Sequence, residues 1–300
     1  MRNLLLDLSA PKFAVRLFEC TSSLWLIFNS IKFFGVSKFL VDKSDLCESR
    51  VLDIPFHIES VFARLLGFGI AHLVLGQIFF SILMFFGGSS WLLRSINFIL
   101  FLNLTNYCIL TTDGGMDLLQ NILFIFIFCE RTDKKLNAVR SNYFHTALAS
   151  FVIKFQISAV YLVAAFSKIV EKEDTWRQGT ALYYILQVRG YSNPFFSDFI
   201  LNHDFLITIG SLSAIVFQVA FGCLSFNRRL KFFALFPMAL IHLGIAATIG
   251  LVSFGFMMIS LYPIFLHQED IHSFRKMIHF LYRIIDEKFG ITSGQNHSSV

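Results

Sequence analysis

Charged residues are scarce in this sequence. Only 15% of its 300 residues are Asp, Glu, Lys or Arg, while 55% are apolar, and a soluble domain has about 25% charged residues. So few charges cannot cover a solvated surface, which excludes a soluble enzyme and a disordered chain. Four stretches have no charge at all: 65–93, 95–112, 205–227 and 232–268. Since a membrane helix needs about 20 apolar residues, these stretches predict transmembrane helices.

Several chemical motifs are also missing. The five cysteines are scattered, with no CxxC and no Cys/His pairing at zinc spacing. There is no nucleophile elbow, phosphate loop or HExxH, so any site must be built from facing helices. The net charge of +5 lies in short loops rather than on one solvated face, which argues against nucleic acid. Cys47 and Cys108 both fall near the predicted outer side, where a disulfide and two free thiols are equally compatible with the pattern.

The predicted fold is an all-α transmembrane bundle of about eight spans. The first apolar stretch lacks a small-residue cleavage site, so we expect it to be retained. This predicts a cytoplasmic segment at 1–18, one membrane domain at 19–266 and a tail at 267–300. The fourth span is the shortest, at 15 residues. The proposed spans are Glu19–Leu40, Val61–Phe86, Trp91–Leu110, Gly115–Cys129, Thr146–Val170, Phe205–Phe226, Leu230–Ile249 and Val252–Leu266.

The distribution of cations predicts the orientation. With a cytoplasmic N-terminus, 15 of the 25 Lys and Arg fall in inside segments and 6 in outside segments. Arg94 counts among the inside loops. This excess favours both termini in the cytoplasm.

Two segments outside the spans have helical patterns of their own. Thr175–Gln187 has helical spacing, with Thr175 as a plausible N-cap, and predicts an interfacial helix on the outer face. The tail after Leu266 places apolar residues on one face and cations on the other, which predicts an amphipathic helix on the cytoplasmic surface.

The fifth span carries two lysines where a charge is expensive. Lys154, Ser158, Tyr161, Ala165 and Lys168 share one helix face. Because a charge at mid-depth costs about 2.5–3.5 kcal/mol or more, we expect this face to point into the bundle or a wet cavity. Position alone favours the alternative, in which the two lysines snorkel to the headgroups at opposite ends of the helix, as long cationic side chains near helix ends usually do.

Other polar residues near or within the spans have two interpretations each. Gly114-Gly115 predicts a tight turn at the outer surface, where Asp113 or Asp117 either caps the fourth helix or forms a carboxylate pair facing Lys168. His242 lies in an uncharged run after Pro237, which should loosen that helix. His242 and Asn106 either form hydrogen bonds to neighbouring helices or line a site.

One combination of residues resembles the HTTM superfamily, which includes the membrane domain of vitamin K-dependent γ-carboxylases. It consists of the tyrosine-bearing helix that ends at Lys168, followed by Trp176-x-x-Gly179-x-Ala181-x-x-Tyr184. The segments Leu110–Leu119 and His242–Phe254 are similar to small bacterial HTTM proteins of the sporulation-delaying-protein B (SdpB) type.

The resemblance implies a function and a location. It implies a multi-pass protein of the bacterial cytoplasmic membrane, needed to mature or export a small secreted antimicrobial peptide toxin. The partners it implies are the lipid bilayer, that peptide and a small accessory protein encoded nearby. Two alternatives are a quinone- or lipid-dependent peptide-modifying enzyme and a non-catalytic peptide-binding or immunity protein.

The carboxylases use a lysine in this helix as a base, and Lys168 occupies the matching place. The chain departs from them because it lacks their large C-terminal domain and has no histidine at Gly114-Gly115, so vitamin K-dependent carboxylation is not our first interpretation. Whether any cofactor is used stays open, a quinone being one candidate. Candidate catalytic residues are Lys168, Asp113, Asp117 and His242, and candidate substrate-binding residues are Tyr161, Trp176, Gly179, Tyr183 and Asn106.

Overall fold

The computed structural model describes residues 12–41, 70–87, 90–107, 112–129, 139–188, 192–267, 269–270, 272–273 and 276. Within these ranges the chain is helical and has no strand, as the composition predicts. The elements are α1 (Lys12–Val41), α2 (Ile70–Phe86), α3 (Trp91–Tyr107), α4 (Gly114–Phe126), α5 (Val139–Val170), α6 (Ala181–Leu186), α7 (Pro194–Leu201), α8 (Asp204–Leu224), α9 (Lys231–Thr248), α10 (Val252–Ser260) and a 3-10 helix (Tyr262–Phe265).

Each of the eight predicted spans overlaps one of these helices, but the bounds differ. Three described segments are long and apolar enough to cross a membrane: His145–Val170 of α5, and the whole of α8 and α9. Pro237 lies inside α9, which continues through it. The sequence does not predict α7, which begins with Asn193 as N-cap and proline in its first turn.

The chain divides into two units, residues 1–265 and 266–300. In the second, the backbone N–H of His267 donates to Asp270 Oδ2 at 2.5 Å. Most of the predicted tail helix, together with Cys47 and Cys108, lies outside the described residues.

Helix α1 packs against α2 and α10, and α8 packs against both α5 and α9. Two side chains of α1 bond to the backbone of α10. Trp25 Nε1 donates to Ser253 O at 2.9 Å, and the Thr21 hydroxyl donates to Ser260 O at 2.8 Å. Large apolar side chains such as Phe166 are exposed on the outside of the bundle, as expected for helices that face lipid.

A buried ion pair joins α1 to α3. Arg94 donates to Glu19 Oε1 from Nη2 at 2.6 Å and from Nε at 3.2 Å, and the two side chains are 3% and 1% exposed. Arg16 also reaches Glu19, at 3.2 Å, and donates to Met84 O at the end of α2. The assignment of Arg94 to a cytoplasmic loop is therefore wrong, because α3 begins at Trp91 and turns Arg94 toward Glu19.

The predicted helix Thr175–Gln187 is shorter than expected. Helix α6 begins only at Ala181, with Thr180 as N-cap, and the preceding residues form turns. Asp174 and Gly179 both have positive φ angles, 62° and 75°, which an α-helix cannot accommodate. The N–H groups of Thr180 and Ala181 donate back to Thr175 O, so Thr175 anchors the turn rather than capping a helix.

Gly255→Ala is expected to lower the free energy of unfolding by about 1–3 kcal/mol, a usual range for overpacking. A Cβ at Gly255 would lie 2.5 Å from the carbonyl oxygen of His242 and 3.0 Å from Ala246 Cβ. The matched control is Gly244→Ala on α9, where a Cβ would meet nothing within 4 Å. Thermal unfolding in lipid nanodiscs measures both, and equal melting temperatures for the two variants would contradict the close packing of α9 and α10.

Candidate functional site

A cavity of about 530 Å³ lies among α5, α8 and α9. Residues of α4, α6, α7 and α10 complete its wall, which is mostly apolar, with side chains such as Val160, Ile185, Ile241 and Met258. Its volume is within the range of about 300–1,000 Å³ that small-molecule sites occupy. The three helices that form most of the wall are also the three candidate membrane spans.

Three polar side chains form a hydrogen-bonded chain beside this cavity. Tyr161 Oη lies 2.7 Å from His242 Nε2 and 2.8 Å from Tyr262 Oη. If Tyr262 donates to Tyr161 and Tyr161 donates to His242, the histidine proton is on Nδ1; in the opposite direction it is on Nε2. Among the described residues, the first direction leaves the Nδ1–H of His242 without an acceptor and the second leaves the hydroxyl proton of Tyr262 without one. His242 Nδ1 is buried and has no hydrogen-bond partner there.

Lys168 places a cation in the cavity wall. Its Nζ donates to Ala164 O at 3.3 Å and lies 4.8 Å from the centre of the Trp176 ring. Glu171 is the acidic residue whose charge acts on it, but the Thr175 hydroxyl donates to that carboxylate at 3.1 Å. Among the described residues no carboxylate lies within ion-pair distance of Lys168, so the ammonium can take an anionic ligand.

The predicted polar face of α5 is confirmed. Lys154, Ser158, Tyr161 and Ala165 are all buried, and half-buried Lys168 lines the cavity. Snorkelling of Lys154 is therefore wrong, since that side chain is only 3% exposed. Lys168 follows Tyr161 by seven residues, which places the two side chains about 10 Å apart along the helix.

The two candidate aspartates do not line the cavity. Asp113 is the N-cap of α4, and its carboxylate accepts from the N–H groups of Gly115 and Met116, both at 3.0 Å. Gly114 and Gly115 therefore begin a helix rather than form a tight turn. Burial raises the pKa of Asp113, while its backbone hydrogen bonds and Lys32 act to lower it. Asp117 is exposed in the first turn of α4.

The remaining candidates lie apart from the cavity. Gly179 allows the positive φ of the turn before α6, and a Cβ there would lie 2.8 Å from Thr208 Cγ2. Tyr183 is 40% exposed on α6, and Asn106 is exposed near the end of α3. The structure thus brings together Lys168, Tyr161, Trp176 and His242, and leaves Asp113, Asp117, Gly179, Tyr183 and Asn106 outside the wall.

Two residues of the site are missing from the sequence-based candidates. Gln218 lines the cavity, and its buried Oε1 has no hydrogen-bond partner in the described ranges. An amide inside an uncharged membrane stretch is a signal that could have identified it. Tyr262 had no such signal, because its role depends on a contact with Tyr161, 101 residues earlier.

The arrangement suits an amphipathic ligand. The walls supply apolar contact, Lys168 is the charged side chain among the lining residues, and the Tyr161–His242 pair gives neutral hydrogen-bonding groups deeper along α5. An apolar body with an acidic group satisfies the walls and the cation at once.

Comparison of the sequence with known proteins identifies the family of this chain. The HTTM domain matches residues 118–269, which are 152 of the 300 residues. The sporulation-delaying protein SdpB of Bacillus subtilis (strain 168) is 31% identical over 171 residues, which cover 53% of this chain and 52% of that protein. The chain thus spans about half the length of the curated relative it matches. No solved structure matches the chain. Because the family match covers more than half of the sequence, the chain belongs to the HTTM domain family.

Proposed function

We propose that this chain is a multi-pass protein of the bacterial cytoplasmic membrane that takes part in the maturation or export of a small secreted peptide toxin. Family membership and the similarity to the sporulation-delaying protein SdpB support this function. Without Arg94, 14 cations fall in the predicted inside segments and 6 in the outside segments, and this excess supports eight crossings with both termini in the cytoplasm. Its partners are the bilayer, the secreted peptide and a small accessory protein.

The working site is the cavity between α5, α8 and α9. The observation that carries this proposal is the meeting of His242 from α9 with Tyr161, Lys168 and Trp176, which lie in or directly after α5, in one wall. In this role Lys168 holds an acidic group of the peptide, and the apolar wall holds its side chains. The Tyr161–His242 pair keeps a neutral polar surface within the membrane.

Lys168→Met is expected to abolish secreted toxin activity in a producing strain while membrane levels of the protein stay unchanged. The substitution keeps an unbranched side chain and removes the cation that faces the cavity. Immunoblotting of membranes and a growth-inhibition assay of the culture medium measure the two quantities. Lys172→Met is the matched control, because Lys172 is exposed, lies four residues away and does not line the cavity.

Unchanged toxin activity in the Lys168→Met strain would remove the working role of this lysine. If substitutions in the outer segment 171–204 then abolish activity, a non-catalytic peptide-binding or immunity protein becomes the better function. In that case the outer segment, rather than the cavity, recognises the peptide.

The apolar wall lies beside the buried phenol of Tyr161 and the imidazole of His242, and this combination favours a second function. In it the chain is a membrane enzyme that modifies a peptide with a quinone or another lipid-like cofactor. The residues fit such a group, since the wall can hold an apolar ring or chain and Lys168 can hold or release a proton at its Nζ. A mass change on a peptide that depends on added reduced quinone would support this function, and purified protein that binds no quinone would count against it.

A further inference from the structure

We infer that α7 lies in the plane of the membrane, at the headgroup level of one leaflet, with its phenylalanines inserted among the acyl chains. This helix is too short to cross a bilayer, because its 8 residues span about 12 Å and the hydrocarbon core is about 30 Å thick. Neither the peptide toxin nor Lys168 takes part in this contact. The three sides of the helix and the positions of its two ends support the placement.

Two sides of α7 are apolar but face different surroundings. One side faces the protein, since Ser197 is buried and Ile200 lines the cavity. The other side consists of exposed phenylalanines, namely Phe195, Phe196 and Phe199. The exposed fraction reaches 79% at Phe195 and 58% at Phe199. Because phenylalanine is among the residues most often buried in proteins that face water, this phenylalanine sector needs an apolar partner outside the protein.

The third side of α7 carries a charge. Asp198 is exposed, and around a helix that turns about 100° per residue it lies about 100° from Phe199 and about 160° from Phe196. A helix surrounded by lipid would leave this carboxylate without hydration, whereas a helix surrounded by water would leave the phenylalanines solvated. A helix in the plane of the interface satisfies both sides, since one meets acyl chains and the other meets water.

The ends of α7 lie beside the ends of two candidate membrane spans. The backbone N–H of Asn193 donates to the carbonyl oxygen of Thr248, the last residue of α9, at 2.8 Å. At the other end, only Asn202 and His203 separate α7 from Asp204, where α8 begins. Helices α8 and α9 are long and apolar enough to cross a membrane, and residues 225–230 join their opposite ends. The helix α7 therefore lies where both spans leave the hydrocarbon.

The phenylalanine sector adjoins the lipid-facing surface of α8. The ring of Phe199 packs against His203, with ring centres 4.8 Å apart, and Phe205 follows two residues later. An exposed apolar stripe on α8 begins there and has the spacing of one helix face: Phe205, Ile209, Leu212, Val216 and Val219. Acyl chains cover such a stripe on a membrane span, so lipid rather than a second protein is the partner of the adjoining phenylalanines.

In this placement, one helix separates the cavity from lipid at this end of the bundle. Ile200 lines the cavity, whereas the preceding residue, Phe199, is exposed on the outside. The acyl chains that hold Phe199 therefore also support this part of the cavity wall.

Photocrosslinking in membranes of an expressing strain tests the placement of α7. Four variants of the full chain carry p-benzoylphenylalanine in place of Phe195, Phe199, Asp198 or Phe205, and ultraviolet light joins this side chain to a C–H bond of a neighbouring molecule. Mass spectrometry of the purified protein measures the fraction that carries one phospholipid. We expect Phe195 and Phe199 to give lipid adducts within about twofold of the yield at Phe205, and Asp198 to give about fivefold less, as an in-plane helix predicts.

Lipid adducts at Phe195 and Phe199 that are no more frequent than at Asp198 would overturn the inference. So would an immunoblot in which these two positions give protein adducts instead, because a second copy or another protein would then cover the phenylalanine sector. Both positions are exposed, so a larger ring displaces no packed atoms there. If one of the two variants still fails to fold, the comparison of the other with Asp198 decides.

Discussion

Replacement of Glu19 by Leu is expected to lower the free energy of unfolding by about 3–5 kcal/mol, the usual result of removing one partner of a buried ion pair. Arg94 would keep its charge at a position that is 3% exposed, where the Phe126 ring, 4.4 Å away, and the Phe126 carbonyl oxygen, 3.4 Å from Nη1, are among its remaining contacts. Neutral groups of this kind do not replace a carboxylate that accepts two hydrogen bonds from the guanidinium. Thermal unfolding in lipid nanodiscs measures the loss, and the amount of protein in membranes should fall with it.

A second substitution shows whether the stability loss comes from the unpaired charge of Arg94 or from lost packing. Glu19→Leu combined with Arg94→Met should recover most of the loss, because no buried charge is left unpaired in α3. Arg16 then keeps its bond to Met84 O, and its side chain remains 28% exposed. Arg177→Met, which breaks an exposed ion pair with Asp174, should change stability by about 1 kcal/mol or less. A double variant that is less stable than Glu19→Leu alone would contradict this account.

Tyr161→Phe is expected to lower the free energy of unfolding by about 2–4 kcal/mol, since it removes one oxygen that serves two buried groups. His242 Nε2 and Tyr262 Oη both bond to that oxygen, and the phenylalanine ring still packs on Phe221. The loss therefore reports unpaired polar atoms rather than an empty space. Thermal unfolding in nanodiscs measures it, with Tyr183→Phe at a 40% exposed position as the control.

A second prediction concerns the energetic coupling between the Tyr161 hydroxyl and the His242 imidazole. If His242→Leu is added to Tyr161→Phe, the double variant should lose less than the sum of the two single losses, because the unpaired Nε2 is gone. Strictly additive losses would mean that the hydroxyl and the imidazole do not interact in the folded protein.

Helical periodicity was sufficient to place Lys154, Tyr161 and Lys168 on one face of α5. It did not decide where the lysines point, because their positions near the helix ends favoured snorkelling, which the burial of Lys154 excludes for that residue. Where both ends are described, the same periodicity located the apolar helices to within a few residues, apart from α10, which ends at Ser260 instead of Leu266, and the N-terminal extensions of α1 and α5. These extensions, from Lys12 and Val139, contain charged residues that an apolar window excludes.

Contacts between distant residues could not be read from periodicity. Arg94 looked like a loop cation because its partner, Glu19, lies 75 residues earlier. Thr175 looked like an N-cap because composition does not reveal that Asp174 and Gly179 take positive φ angles. Asp113 had a capping and a catalytic interpretation, and the hydrogen bonds that its carboxylate accepts from the backbone N–H groups of Gly115 and Met116 show that it is the cap. Each case needed coordinates because local sequence leaves the partner undefined.

The hydrogen bonds of Tyr161 also determine when the site is completed during synthesis. Its partners lie 81 and 101 residues later in the chain, so α5 enters the membrane while its tyrosine hydroxyl is still unpaired. The hydroxyl gains its last partner only after Tyr262 has left the ribosome. A nascent chain that stalls after α9 contains the three candidate spans found among the described residues, but Tyr161 still lacks its bond to Tyr262.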